Sequence, residues 1–127
     1  MRLLLDTQAF LWFLLDDERL SSHARTAIGQ TGILYLSPAS HWEIAIKIAL
    51  GKYALPEPFA QFMERELVAN NITILPIEIG HTTHLTALPF YHRDPFDRLI
   101  ISQALAEKLP VISSDTQFDA YGIERVW

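Results

Sequence analysis

The sequence contains no cysteine and no long apolar run. Without cysteine the protein can form neither a disulfide nor a thiolate metal site, which is typical of a reducing compartment. The longest apolar run, residues 9–15, has seven residues, whereas a membrane-spanning helix needs about 20. The first apolar run ends at Asp6, too early for the core of a signal peptide. We therefore expect a soluble, cytoplasmic protein with no membrane partner.

Basic residues are also scarce, with 10 Lys and Arg against 15 Asp and Glu, for a net charge of −5. This balance argues against nucleic-acid binding, unless several acids gather in one site that a metal ion neutralises. No glycine-rich phosphate loop occurs, which disfavours a nucleotide kinase. The 127 residues, half of them hydrophobic, predict one domain, residues 1–127, with a core of its own.

Apolar runs and capping residues predict strands that alternate with helices. The predicted strands are 2–5, 33–36, 72–77, 111–114 and 123–126, and the predicted helices are 7–15, 21–28, 38–50, 58–69, 80–88 and 95–109. This order is typical of an α/β fold, here three α/β/α layers around a mainly parallel sheet, whose sites lie beyond the carboxyl ends of the strands. Residues 10–13 are crowded with large apolar side chains, for which we favour core packing over contact with a partner.

Asp97 contradicts the apolar character of its own helix. It heads a stripe at helical spacing that continues with Ile100, Ile101, Ala104 and Leu105. Asp94 before it is a good helix cap, with Pro95 in the first turn. The positive end of a helix compensates only part of the free-energy cost of burying a carboxylate. The inward direction of Asp97 therefore favours a functional role over capping.

Glu43 presents the same question on the helix that Ser37 and Pro38 begin. It lies at the edge of an apolar arc and fits a capping box with Ser40. A start at Pro38 puts Glu43 in the second turn, out of capping range. An ion pair with Lys47 is the other structural explanation. We favour a functional role here too.

Asp6 and Asp115 each follow a predicted strand directly. With Glu43 and Asp97 they can therefore converge on one edge of the sheet, where carboxylates need protons or cations as partners. An all-oxygen cluster suits Mg²⁺ or Mn²⁺. Asp119 lies one turn beyond Asp115, and we expect it to be solvated.

Four segments in this order, "LLLDTQAFLW", "SPASHWEIAIKIALGK", "HRDPFDRLIISQA" and "ISSDTQFDAYG", resemble PIN-domain ribonucleases, specifically the toxins of VapBC-type toxin–antitoxin pairs. The resemblance covers nearly the whole chain. It implies that Asp6, Glu43, Asp97 and Asp115 are the catalytic, metal-holding acids, and that Thr7 and Ser114 match small polar positions beside them. The sequence departs from the pattern at Gln8, where this subgroup is expected to have His. The resemblance also implies a homodimer and an antitoxin that covers the site.

The resulting hypothesis is metal-assisted hydrolysis of an RNA phosphodiester bond. Three basic residues, Lys47, Arg93 and Arg98, are candidate phosphate contacts, and ordinary ion pairing is an equally good explanation for them. An aspartate-nucleophile phosphatase would need an acid at position 8. His81 and His84 share a helix face without a third ligand, so we expect an exposed pair. The main alternative is a catalytically inactive protein-interaction module with the same fold.

Overall fold

A five-stranded parallel sheet forms the centre of the computed structural model, which describes residues 1–127. The strands are β1 (Arg2–Leu5), β2 (Ile33–Leu36), β3 (Ile72–Ile74), β4 (Val111–Ile112) and β5 (Arg125–Val126). Their order across the sheet is β3-β2-β1-β4-β5, and every neighbouring pair is parallel. The predicted α/β class is therefore confirmed, with a sheet that is wholly parallel.

Six α-helices connect and cover the strands. They are α1 (Thr7–Leu14), α2 (Ser22–Gln30), α3 (Pro38–Ala49), α4 (Phe59–Ala69), α5 (Ile79–Thr86) and α6 (Pro95–Glu107), and a 3₁₀ helix, Thr116–Tyr121, follows β4. The 3₁₀ helix was not predicted. The third strand is shorter than predicted, because Pro76 has no N–H to continue the ladder. No helix is both long and apolar enough to cross a membrane.

The core lies on both faces of the sheet, since successive residues of β1 point to opposite sides. Leu3 and Leu5 pack with the apolar faces of α1, α2 and α4, while Leu4 packs against α6. Phe10 and Leu11 are buried in the first of these clusters. The crowded segment 10–13 therefore contributes to the core, as favoured from the sequence.

The N-termini of several helices lie at the carboxyl edge of the sheet. From β1 the chain continues to β2 on one side, and β4 lies on the other side of β1. The connections that leave β1 and β4 therefore run in opposite directions, and a crevice opens between them at the carboxyl ends of these strands. Side chains that directly follow the strands, or that begin α1, α3 and α6, are brought to this crevice.

Candidate active site

Asp6 is the innermost acid of the crevice. It follows β1, is 6% exposed and caps α1, with Oδ1 accepting a hydrogen bond of 2.7 Å from the Ala9 amide. Burial raises the pKa of Asp6 to about 6, although hydrogen bonds from the Ser113 hydroxyl and the Ala9 amide oppose this rise. The charges of Asp115 and Glu43 raise it further. Asp6 is thus a buried acid, and no basic side chain is among the groups that shift its pKa.

Asp97 lies in the first turn of α6 and is partly buried, in keeping with its predicted inward direction. Burial is the main cause that raises the pKa of Asp97 to about 8. Neighbouring carboxylates add to this rise, in decreasing order Asp94, Asp6, Glu43 and Asp115. Each of these acids is thus close enough to Asp97 for its charge to disfavour the ionised form of Asp97.

His92 joins two of the acids and was missed by the sequence reasoning. Its Nε2 lies 2.8 Å from Oδ2 of Asp115 and 3.2 Å from Oδ2 of Asp97. One possible ligand atom from each of these three residues lies within 4.8 Å of the other two. His92 lies in a loop, where no periodicity distinguishes inward-facing residues. Its closeness in sequence to Asp94 and Asp97 is the only signal that could have identified it.

Glu43 is 8% exposed and lies in the second turn of α3. The cap of α3 is Ser37, whose Oγ accepts from the Ala39 amide at 3.1 Å, so Glu43 is free of any capping role. Its Oε2 instead lies 3.0 Å from Nζ of Lys47. The expected ion pair is therefore present, at a carboxylate close enough to the crevice to raise the pKa values of Asp6 and Asp97.

Small hydroxyl residues line the crevice, although not all of them are the predicted ones. Thr7 is buried, and its hydroxyl donates to Ser40 Oγ at 2.9 Å. Ser114 is exposed, whereas Ser113 is buried, lowers the pKa of Asp6 and accepts from the Asp115 amide at 3.0 Å. The serine in contact with the acids thus precedes the predicted one by a single residue.

Arg98 has a structural environment that differs from the predicted one. It is 6% exposed, and its guanidinium donates to the backbone carbonyls of Leu88, Pro89 and His92 at 2.9, 2.8 and 3.2 Å. The charge of Arg98 is therefore used within the protein, and a phosphate contact gains no support from this arrangement. Arg93, by contrast, is exposed beside the crevice.

The remaining acids have ordinary roles. Asp94 caps α6, as predicted, with Oδ1 accepting from the amides of Phe96 and Asp97 at 2.9 and 3.0 Å. Asp119 is exposed and forms an ion pair with Arg125 at 2.9 Å, outside the cluster. One carboxylate oxygen of Asp115 likewise caps the 3₁₀ helix, because Oδ1 accepts from the Gln117 amide at 2.9 Å.

The expectation of an exposed histidine pair on α5 is wrong for His81. This residue is 2% exposed, with Nδ1 accepting from the Glu78 amide at 3.0 Å and Nε2 lying 3.1 Å from Oε2 of Glu107. A polar residue on a short helix can cap that helix and tie it to a neighbour, here α6, which helical spacing alone does not reveal.

The donor set of the crevice fits a hard divalent cation. Its buried acids offer carboxylate oxygens, the ligands that Mg²⁺ and Mn²⁺ prefer. Burial and like charges disfavour the ionised forms of both acids, so Asp97 with its pKa of about 8 holds a proton at neutral pH and Asp6 with its pKa of about 6 does so only in mildly acidic solution. A cation bound among these carboxylates would favour their ionised forms and lower their pKa values.

A first prediction concerns the pH dependence of stability without metal. In the folded protein Asp97 keeps its proton up to about pH 8, whereas in the unfolded chain it loses it near pH 4. Between these values the folded state binds more protons, so the free energy of unfolding falls as pH rises. We expect thermal unfolding with chelator to show a lower Tm at about pH 8 than at about pH 5, and Mg²⁺ to recover most of the loss. A Tm at the higher pH that Mg²⁺ leaves unchanged would contradict this.

Comparison with known proteins agrees with this geometry. A family model described as PIN domain matches residues 3–124. Ribonuclease VapC16 of Mycobacterium tuberculosis (strain ATCC 25618 / H37Rv) is 39% identical over 54 residues, which are 42% of this chain. The matched segment spans only 38% of that relative.

Solved structures show the same fold at low identity. VapBC2 from Rickettsia felis, bound to a DNA fragment from its promoter, superposes with a TM-score of 0.74 at 15% identity over 100% of both chains. FitAcB from Neisseria gonorrhoeae gives a TM-score of 0.64 at 20% identity, covering 98% of this chain and 96% of that one. VapBC-1 from nontypeable Haemophilus influenzae gives 0.67 at 17% identity, with the same coverage.

Proposed function

Since this chain belongs to the PIN-domain family, we propose that residues 1–127 act as one nuclease domain that hydrolyses RNA phosphodiester bonds with a divalent cation. The observation that carries the proposal is the gathering of acids at the carboxyl edge of the sheet, with the pKa of Asp6 raised to about 6 and that of Asp97 to about 8. Clusters of strongly perturbed acids in a crevice are characteristic of catalytic sites. The ribonuclease name of the Mycobacterium tuberculosis relative supports the same activity.

The proposed catalytic and metal-holding residues are Asp6, Glu43, Asp97 and Asp115, with Mg²⁺ or Mn²⁺ as the cation. When bound, the cation would polarise the scissile phosphate and acidify the attacking water. Glu43 or Asp115 would orient that water, because each keeps a carboxylate oxygen that no helix cap uses. The Ser113 hydroxyl favours the ionised form of Asp6 by lowering its pKa.

Substrate contacts are proposed for residues around the acids. Lys47 lies at the rim beside Glu43, and Arg93 is exposed on the loop before α6, so both can reach a phosphate. Thr7 and the exposed Ser114 remain predicted contacts. The overall charge of −5 does not oppose RNA binding if the cation neutralises the cluster that the RNA meets.

We further propose that the protein is the toxin of a cytoplasmic toxin–antitoxin pair, acting as a homodimer whose site a cognate antitoxin covers. The structural relatives VapBC2 and VapBC-1 carry names of this kind. Two exposed apolar side chains of α3, Trp42 at 58% and Ile46 at 36%, support a protein contact on this helix, since monomers rarely expose large apolar patches.

A second prediction tests the site directly. Mn²⁺ titrated into the wild-type protein in a calorimeter should bind, and Asp6→Asn should weaken that binding strongly because it removes the innermost carboxylate. Asp16→Asn is the matched control, since Asp16 is an exposed acid beyond the far end of α1. Cleavage of total cellular RNA with Mg²⁺, mapped against a chelator control, reads out the activity.

The same experiment separates the nuclease from a catalytically inactive interaction module. An inactive module would bind no Mn²⁺ and leave RNA intact under both conditions. Wild-type Mn²⁺ affinity in Asp6→Asn would show that the cation lies elsewhere.

A further inference from the structure

His92 is held rigidly between two parts of the fold. It lies in the loop between α5 and α6 and is 6% exposed, with its ring against Phe118 at a centroid distance of 5.8 Å. Its backbone amide donates to the hydroxyl of Tyr121 at 2.8 Å, and its carbonyl accepts from Arg98 at 3.2 Å. A side chain fixed in this way can set the geometry of groups that it contacts.

The backbone amide of Asp94 determines which ring nitrogen of His92 carries a proton. This amide can only donate, and it donates to Nδ1 of His92 at 3.2 Å. Nδ1 therefore presents its lone pair, and the proton of the neutral ring is on Nε2. A proton on Nδ1 would face the amide hydrogen and break this bond.

The Nε2–H of His92 then points at two carboxylates. It donates to Oδ2 of Asp115 at 2.8 Å, and Oδ2 of Asp97 lies 3.2 Å from the same nitrogen. When both carboxylates are ionised, the form that binds a cation, they repel each other, and without a donor between them their side chains would turn apart.

We propose that His92 is a positioning residue that holds the carboxylates of Asp97 and Asp115 side by side for the cation and is not itself a ligand. The inference rests on the proposed function, because it assumes a cation at these acids. The spacing of His92, Asp97 and Asp115 would by itself allow His92 to bind a metal ion. Binding through Nε2, however, requires the proton to move to Nδ1, against the Asp94 amide.

The protonation pattern is tested on the wild-type protein by long-range ¹H–¹⁵N NMR, which distinguishes the two tautomers. The chain has five histidines, and the signal that is lost in His92→Gln identifies His92. We expect the Nε2–H form with chelator, and the same form after Mg²⁺ is added. An Nδ1–H form, or loss of the Nε2 proton on addition of Mg²⁺, would overturn the proposal.

Calorimetry with Mn²⁺ tests the consequence for the site. His92→Leu keeps the apolar contact with Phe118 but has no donor, and we expect its Mn²⁺ affinity to fall by about 10–100-fold. His92→Gln should stay within a few-fold of wild type, because its amide nitrogen can occupy the position of Nε2. His92→Asn, whose amide matches Nδ1, should be as weak as His92→Leu.

The outcomes of this titration are distinguishable. Equal Mn²⁺ affinity in wild type and a folded His92→Leu would overturn the positioning role and leave the nuclease proposal intact. Absence of Mn²⁺ binding by the wild type would overturn the proposed function and this role together. Thermal unfolding of each variant shows whether it is folded, and the NMR measurement on the wild type does not depend on any variant.

Discussion

Asp97→Asn is expected to abolish Mg²⁺-dependent RNA cleavage while making the metal-free protein more stable at about pH 8. The loss of activity should be on the order of 10³-fold or more, since a central ligand carboxylate acts as part of one unit with its neighbours. The gain in stability follows from the raised pKa of Asp97, which shows that its charge is unfavourable in the folded state. Such opposite effects are typical of a site that sacrifices stability for activity.

The size of this stabilisation follows from proton linkage. Above the pKa of about 8, wild-type Asp97 is charged and surrounded by Asp94, Asp6, Glu43 and Asp115. Asn carries no charge at any pH, so linkage over the roughly four pKa units between the unfolded and folded values makes the variant more stable by about 5 kcal/mol in chelator at pH 8, and the difference should vanish near pH 4. Urea unfolding at both pH values measures it, with Asp16→Asn as the control. A variant that is inactive and less stable than wild type at pH 8 would attribute the loss of activity to misfolding.

Arg98→Met is expected to destabilise the protein by about 3–5 kcal/mol, although Met is apolar and similar in length. The substitution leaves the carbonyls of Leu88, Pro89 and His92 buried without their charged donor. It also removes the guanidinium that stacks on Phe90, with Cζ 3.8 Å from the ring centroid. Urea unfolding of the metal-free protein measures the change.

Arg98→Lys is the matched control for the shape of the side chain. It keeps the charge but not the planar fork that reaches separate carbonyls, so we expect an intermediate loss of stability. If Arg98→Met instead unfolded like wild type and only RNA affinity fell, Arg98 would be a phosphate contact, as the sequence had suggested. Arg93→Met, at an exposed position, should change stability by less than about 0.5 kcal/mol.

Much of the fold was predictable because local patterns and tertiary structure agree. The apolar run 2–5 is a strand over its full predicted length, and Ser37 with Pro38 begins α3 where cap chemistry requires. That start correctly put Glu43 beyond capping range. The stripe headed by Asp97 likewise predicted its inward direction, since α6 keeps helical spacing to its end.

The misses share a physical cause: their partners are distant in the chain or lie in loops. The acceptors that hold Arg98 are the backbone carbonyls of Leu88, Pro89 and His92, in a segment with no periodic pattern. The role of His92 depends on Asp115 and the Asp94 amide, and that of Ser113 on Asp6. The residue type alone suggested that Arg98 is exposed. Only the tertiary structure supplies the carbonyl acceptors that make the burial of its guanidinium possible.

The position of β1 between β2 and β4 bears on how the protein is made. Asp115 leaves the ribosome more than a hundred residues after Asp6, and only then can β4 take its place beside β1. A growing chain therefore cannot complete the set of four acids in the crevice before β4 has been made. On the proposed function, RNA cleavage can therefore begin only after translation has passed β4, when Asp115 joins the other acids.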